Sequence, residues 1–135
     1  MKILRLPTCS YCPDIDDIAH FFCKCDRVNI FWQNFFTWWT SIGEIHTNYP
    51  NFPSPHEIIF GMPGSEDPIM VMNFCILHAK HYIYKQRLFH ENYLSVQNFL
   101  RELRYHLQIE QKICENSNTP EKFAKYAAVC DRLNN

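Results

Sequence analysis

The sequence has little net charge, no long apolar run and almost no strand-like alternation. A formal charge of −1 at pH 7 gives no global basic field for nucleic acid and no acidic solvating tract, so any contact with a polyanion must be local. The most apolar stretch, IMVMNFCILHAKHYIY (69 to 84), is broken by Asn73, His78, Lys80 and His81. It falls short of the roughly 20 apolar residues that a membrane span needs. The opening MKILRLPTC carries a charge or a proline every few residues and no apolar signal core. These absences predict an intracellular chain, in cytoplasm and nucleus, with no membrane partner. No internal repeat or low-complexity tract occurs. The GMPGSEDP segment lacks the Gly-x4-Gly-Lys-Ser/Thr order that cradles phosphates and reads as a turn with a helix cap.

What is present is aromatic and helical. In 135 residues there are eleven Phe, seven Tyr and three Trp, with 47% apolar and 20% charged residues, enough for a packed core without metal or disulfides. Runs of alternating β-branched residues between turn signals are missing, so the fold class expected is all-α, a small helical domain. The segment from Asp26 to Gly43 places Ile30, Phe31, Phe35, Trp38, Trp39 and Ile42 at helical spacing, with Asp26 as N-cap and Gly43 as stop. Rings cover more than one face of this helix, which predicts a central core element. After the proline-rich 44 to 55, Ser54, Pro55 and Glu57 form a capping-box signature for a short helix. Asp67 and Pro68 open a longer helix to about Phe89, and Phe99, Leu100, Leu103, Leu107 and Cys114 make one stripe of the next. A last helix starts at Thr119, Pro120 and Glu121. The expected organisation is a knuckle with its aromatic helix (1–43) and a helical tail packed on it (44–135), one compact domain overall.

Four of the seven cysteines and one histidine crowd into CSYCPDIDDIAHFFCKC, residues 9 to 25. Clustered cysteines in a reducing compartment are more often metal ligands than disulfides. The spacing C9-x2-C12-x7-H20-x4-C25 lets Cys9 and Cys12 clasp one ion while His20 and Cys25 close a tetrahedron, a closed structural set that suits zinc. Cys25 is preferred as the fourth ligand, and Cys23 could replace it. Asp17 reads as a helix-start acid or as a partner of the His20 imidazole. His46, His56, His90 and His106 are isolated; Cys75, Cys114 and Cys130 read as small core residues.

This pattern, with Phe21 and Phe22 after the histidine and Trp32 seven residues after Cys25, resembles the reverse-transcriptase zinc-binding domain near the C-terminus of non-LTR (LINE-type) retrotransposon polyproteins. SPHEIIFG (54 to 61), NFCILHAKHYIYKQR (73 to 87), FLRELRYHLQIEQ and the final EKFAKYAAVCDRL extend the resemblance over nearly the whole chain. It implies Cys9, Cys12, His20 and Cys25 as zinc ligands, an adjoining reverse-transcriptase domain in a longer polyprotein, and a share in holding RNA or DNA during target-primed reverse transcription. The polymerase chemistry itself is missing. There is no Tyr-x-Asp-Asp stretch, the paired aspartates Asp16 and Asp17 sit inside the cysteine cluster, and no Cys–His nucleophile pair is marked elsewhere. The expectation is a non-enzymatic module with no small-molecule substrate.

The surface expected to meet nucleic acid is HAKHYIYKQR. Lys80, Tyr84, Lys85 and Arg87 are its candidates, no acidic residue occurs between Pro68 and Phe89, and Lys80, Tyr84 and Arg87 share a helical face. Basic groups would meet phosphates while rings stack on unpaired bases. Arg101, Arg104 and Lys112 could widen the patch. The competing readings are a plain solvated face for these residues, and a structural or protein-docking role for the module.

Overall fold

A computed structural model describes residues 8–9, 11–14, 16–42, 53–89 and 94–134. Among them the fold is all-α: a π turn (His20–Lys24), α1 (Asp26–Thr40), α2 (Pro55–Phe60), α3 (Asp67–Leu88), α4 (Val96–Asn116), a 3-10 segment (Pro120–Tyr126) and α5 (Ala127–Asn134). Local chemistry sets most of the boundaries. At α2 the Ser54 hydroxyl accepts from the Glu57 N–H at 3.2 Å and the Glu57 carboxylate accepts from the Ser54 N–H at 3.0 Å, a complete capping box with Pro55 in the first turn. Gly61 ends the helix at φ 91°, where a side chain would be strained. The loop that follows is tied back by Asn73, whose side chain bonds both the N–H and the carbonyl of Met62 at 2.8 and 3.0 Å. Ser95 caps α4 by accepting from the Asn98 N–H.

The core lies where α1, α3 and α4 meet. Phe31 stacks on Tyr82 at 5.6 Å and meets Phe99 edge-on at 5.7 Å, and Phe35 meets Phe99 at 5.6 Å. Leu100, Leu103, Leu107 and Cys114 of the α4 stripe are all buried with Phe99. The buried residues on both sides of the 43/44 boundary, from Cys9 to Val129, form one hydrophobic cluster.

Four features differ from the sequence reading. Asp26 is the first helical residue of α1, and Cys25, in extended backbone, is its N-cap; a residue held in the cysteine cluster fixes where the helix starts. Ile30 is 56% exposed rather than on the buried stripe. The last helix begins as a 3-10 segment, Pro120–Tyr126, and becomes α-helical only from Ala127. His106 is not isolated, since its ring stacks on His78 with centroids 4.2 Å apart. His46, His90 and Gly43 lie outside the described residues.

Candidate metal centre

Three local devices gather the donors. The Cys9 N–H donates to the Asp14 carbonyl at 2.9 Å, which bends C-P-D back on itself and brings Cys12 beside Cys9. The Asp17 carboxylate accepts from the His20 N–H at 2.7 Å, so Asp17 starts the helical turn that carries His20; of its two expected roles, the structure shows the helix-start one. The π turn then aligns the last two donors. The Cys25 N–H donates to the His20 carbonyl at 3.1 Å, an i→i+5 bond that places both ends of the H-x4-C spacing on one side.

The result is a knot of Cys9, Cys12, His20 and Cys25 whose donor atoms all lie within 4.8 Å of one another. The Cys9 and Cys25 sulfurs are 3.7 Å apart, and the Cys12 sulfur is 3.2 Å from His20 Nε2. A tetrahedral zinc with bonds of about 2.3 Å to sulfur and about 2.0 Å to nitrogen has donor–donor edges of roughly 3.5–3.8 Å. The donor set and its spacing therefore fit a four-coordinate metal ion with no position left for water. Cys23 points away, towards the Pro55 carbonyl at 3.9 Å, and burial pushes its thiol up to about 11 against the pull of Lys80 and Lys24. Cys25, 1% exposed, is the fourth donor.

The thiols of the knuckle titrate unequally. Burial opposes ionisation of Cys9, yet the Tyr11 N–H, His20 and Cys12 together bring it down to about 7. Cys12 is helped by the Asp14 backbone, but desolvation and the neighbouring Cys9 and Cys25 hold it up at about 11. One thiolate is favoured in the cluster and further ones repel, a conflict that a bound dication removes.

Arg87 enters this site from α3. It is 4% exposed, and its Nη2 lies 2.9 Å from Cys9 Sγ and 3.2 Å from Asp16 Oδ2, while Nη1 donates to the Phe21 carbonyl at 2.8 Å. The guanidinium lies over the rings of Phe21 at 4.1 Å and Tyr11 at 5.0 Å. A buried cation thus sits directly behind Cys9, one of the four candidate metal donors, and is paired with the partly buried Asp16 carboxylate.

The sequence-predicted nucleic-acid face is not assembled as expected. Arg87 is turned inward onto Cys9. Lys80 donates to the Ile59 carbonyl at 3.0 Å, and burial lowers its pKa. Lys85 pairs with Glu102 at 3.0 Å. Tyr84 is 49% exposed, but it lines a shallow apolar depression with Ile18, Leu77 and His81 rather than a row of free cations. The i, i+4, i+7 spacing put Lys80, Tyr84 and Arg87 on one side of α3, and the π turn covers the Arg87 end of it.

Sequence reasoning missed Arg87, Asp16 and Tyr11 as parts of the knuckle. Asp16 and Tyr11 lie inside the cysteine cluster and were open to suspicion; Arg87 is 78 residues from Cys9 and nothing local marks it.

Compared with known proteins, the chain matches no family model, no curated protein and no solved structure.

Proposed function

We propose that this chain is a non-catalytic zinc-binding module of LINE-reverse-transcriptase type, contributing RNA or DNA binding beside an adjoining polymerase domain. The observation that supports it is the Cys9–Cys12–His20–Cys25 knot, with its closed three-sulfur, one-nitrogen donor set at zinc spacing. Zinc there would hold the N-terminal strand of chain against α1 and α3, where the knuckle shares Arg87 with the core. The family resemblance supplies the nucleic-acid role.

A rival reading, a protein-docking module without nucleic-acid affinity, is favoured by one observation. Lys80, Lys85 and Arg87 are engaged within the fold, while Ile18 and Leu77 stand 65% and 60% exposed beside Tyr84.

Two measurements test the proposal. Elemental analysis with native mass spectrometry should find one zinc per chain, lost in Cys9→Ser and retained in Cys23→Ser. Single-stranded RNA and DNA should bind the zinc-loaded protein with an affinity that falls steeply as salt rises. A folded protein without zinc, or one whose ligand binding ignores salt, would refute the respective half of the proposal.

A further inference from the structure

Three other arginines line a different groove. Arg101 and Arg104 stand exposed one turn apart on α4, and Arg132 projects from α5. Between them and Trp38 of α1 runs a cavity of about 290 Å³, also lined by Gln97. It continues past Arg104 into a second hollow of about 260 Å³ lined by Gln108 and Gln111. No acidic side chain lines either part. Among the described residues no carboxylate lies within ion-pair distance of Arg101, Arg104 or Arg132. Glu102, the acid between the two α4 arginines in sequence, is held by Lys85 on another flank. Arg132 is aimed by its Nε, which donates to Ser41 Oγ at 3.1 Å.

A chain of net charge −1 that gathers three unpaired guanidiniums along one groove has a site of strong local potential. Guanidinium forks match phosphate oxygens bidentately, and glutamine amides offer both donors and acceptors. Trp38 forms part of the groove wall. It is half-buried, while Trp32 and Trp39 are buried at 4% and 1% exposure, which leaves it the tryptophan able to stack on a base. From Gln97 to Gln111 the groove follows α4 for about 21 Å at 1.5 Å per residue. That length accommodates about six nucleotides at 3.4 Å each. The geometry points to a single-stranded nucleic-acid site in the α4–α5 groove, with Arg101, Arg104 and Arg132 on phosphates and Trp38 against a base. The inference rests on the nucleic-acid half of the proposed function and gives it a location away from Lys80, Lys85 and Arg87.

The test is fluorescence anisotropy of labelled 20-residue oligo-U and oligo-dT on the zinc-loaded full chain, between 50 and 200 mM salt. Three phosphate contacts predict an affinity fall of roughly twentyfold over that range; Arg101→Gln with Arg104→Gln should leave roughly a threefold fall and weaken binding at least tenfold at 50 mM salt. Both arginines are exposed, so the double variant should melt as wild type does; Arg101→Lys with Arg104→Lys should restore the salt response. Trp38→Phe should remove fluorescence quenching by bound oligonucleotide. If instead Lys80→Gln with Lys85→Gln abolishes binding and the arginine variant binds normally, the groove assignment is overturned while nucleic-acid binding stands. If wild type binds neither oligonucleotide at 50 mM salt, the nucleic-acid reading falls and the groove site with it. Equal affinity for a duplex of the same length would overturn the single-strand assignment.

Discussion

Replacing Arg87 by Met keeps most of its aliphatic stem and removes the guanidinium, taking its donors from the Asp16 carboxylate, the Phe21 carbonyl and the Cys9 sulfur, which keeps the Tyr11 N–H. Breaking a buried pair by removing one partner costs about 3–5 kcal/mol, because the other charge stays desolvated. Asp16 keeps 13% side-chain exposure on a turn that can relax towards water, so the lower end applies, about 3 kcal/mol. With an unfolding entropy of about 2.1 cal/mol/K per residue, 135 residues convert this to a fall in Tm of about 10 °C. A second effect falls on the metal. Loss of the hydrogen bond behind a ligand weakens zinc binding about 10–100-fold, which competition with a chromophoric chelator would read. Thermal melts with saturating zinc and with EDTA separate the two contributions. Asp16→Asn combined with Arg87→Met should recover part of the loss, since the stranded charge is gone. An Arg87→Met protein that melts within 2–3 °C of wild type (about 1 kcal/mol or less) and holds zinc as tightly would refute the account of the guanidinium as the support of Cys9.

Three further outcomes follow from the packing. Desolvation first, then His106 and His81, hold His78 down at about 4 instead of 6.5; the folded form keeps this ring neutral, so its contribution is fully present above pH 6.5 and is lost as pH falls towards 4. Comparing melts at pH 7 and pH 5, His78→Phe should lose less stability than wild type by about 1 kcal/mol, allowing for solvent screening at a half-buried ring. Phe99→Ala opens a cavity where rings from three helices meet and should cost about 3–5 kcal/mol by urea unfolding, with the slope unchanged. Ser54→Ala removes one half of the α2 capping box and should cost about 1 kcal/mol in the same assay.

The parts of the fold written in short-range chemistry were legible. Ser54, Pro55 and Glu57 announced α2, Asp67 and Pro68 opened α3, and the 3.6-residue stripe of α4 named its buried face in full. The four donors were legible for the same reason, since a metal knuckle is a local object whose spacing is its signature. Ile30 failed because helical periodicity marks a face without saying how wide the neighbours are; α1 buries Val28, Phe31 and Trp32 and leaves Ile30 outside. The π turn was illegible, as an i→i+5 bond has no propensity signal apart from the donors that it aligns. The engagement of the cationic face was illegible for a different reason. A run of Lys and Arg in sequence says nothing of which are neutralised in three dimensions, and here Glu102, the Ile59 carbonyl and Cys9 engage Lys85, Lys80 and Arg87.

The reach of Arg87 across 78 residues to Cys9 also sets a clock. On a ribosome adding about 5–20 residues per second, the four donors of the knuckle are complete roughly 3–12 s before Arg87 is even polymerised, and α3 must then dock before the guanidinium arrives. Until α3 docks, cysteines that have emerged from the ribosome are thiols that peroxide or a stray disulfide partner can capture. A metal acquired early would shield them; one acquired late would find them already held in place by α3. Pulse-labelling nascent chains with a thiol-reactive reagent, at lengths on either side of residue 87, would show which order the cell uses.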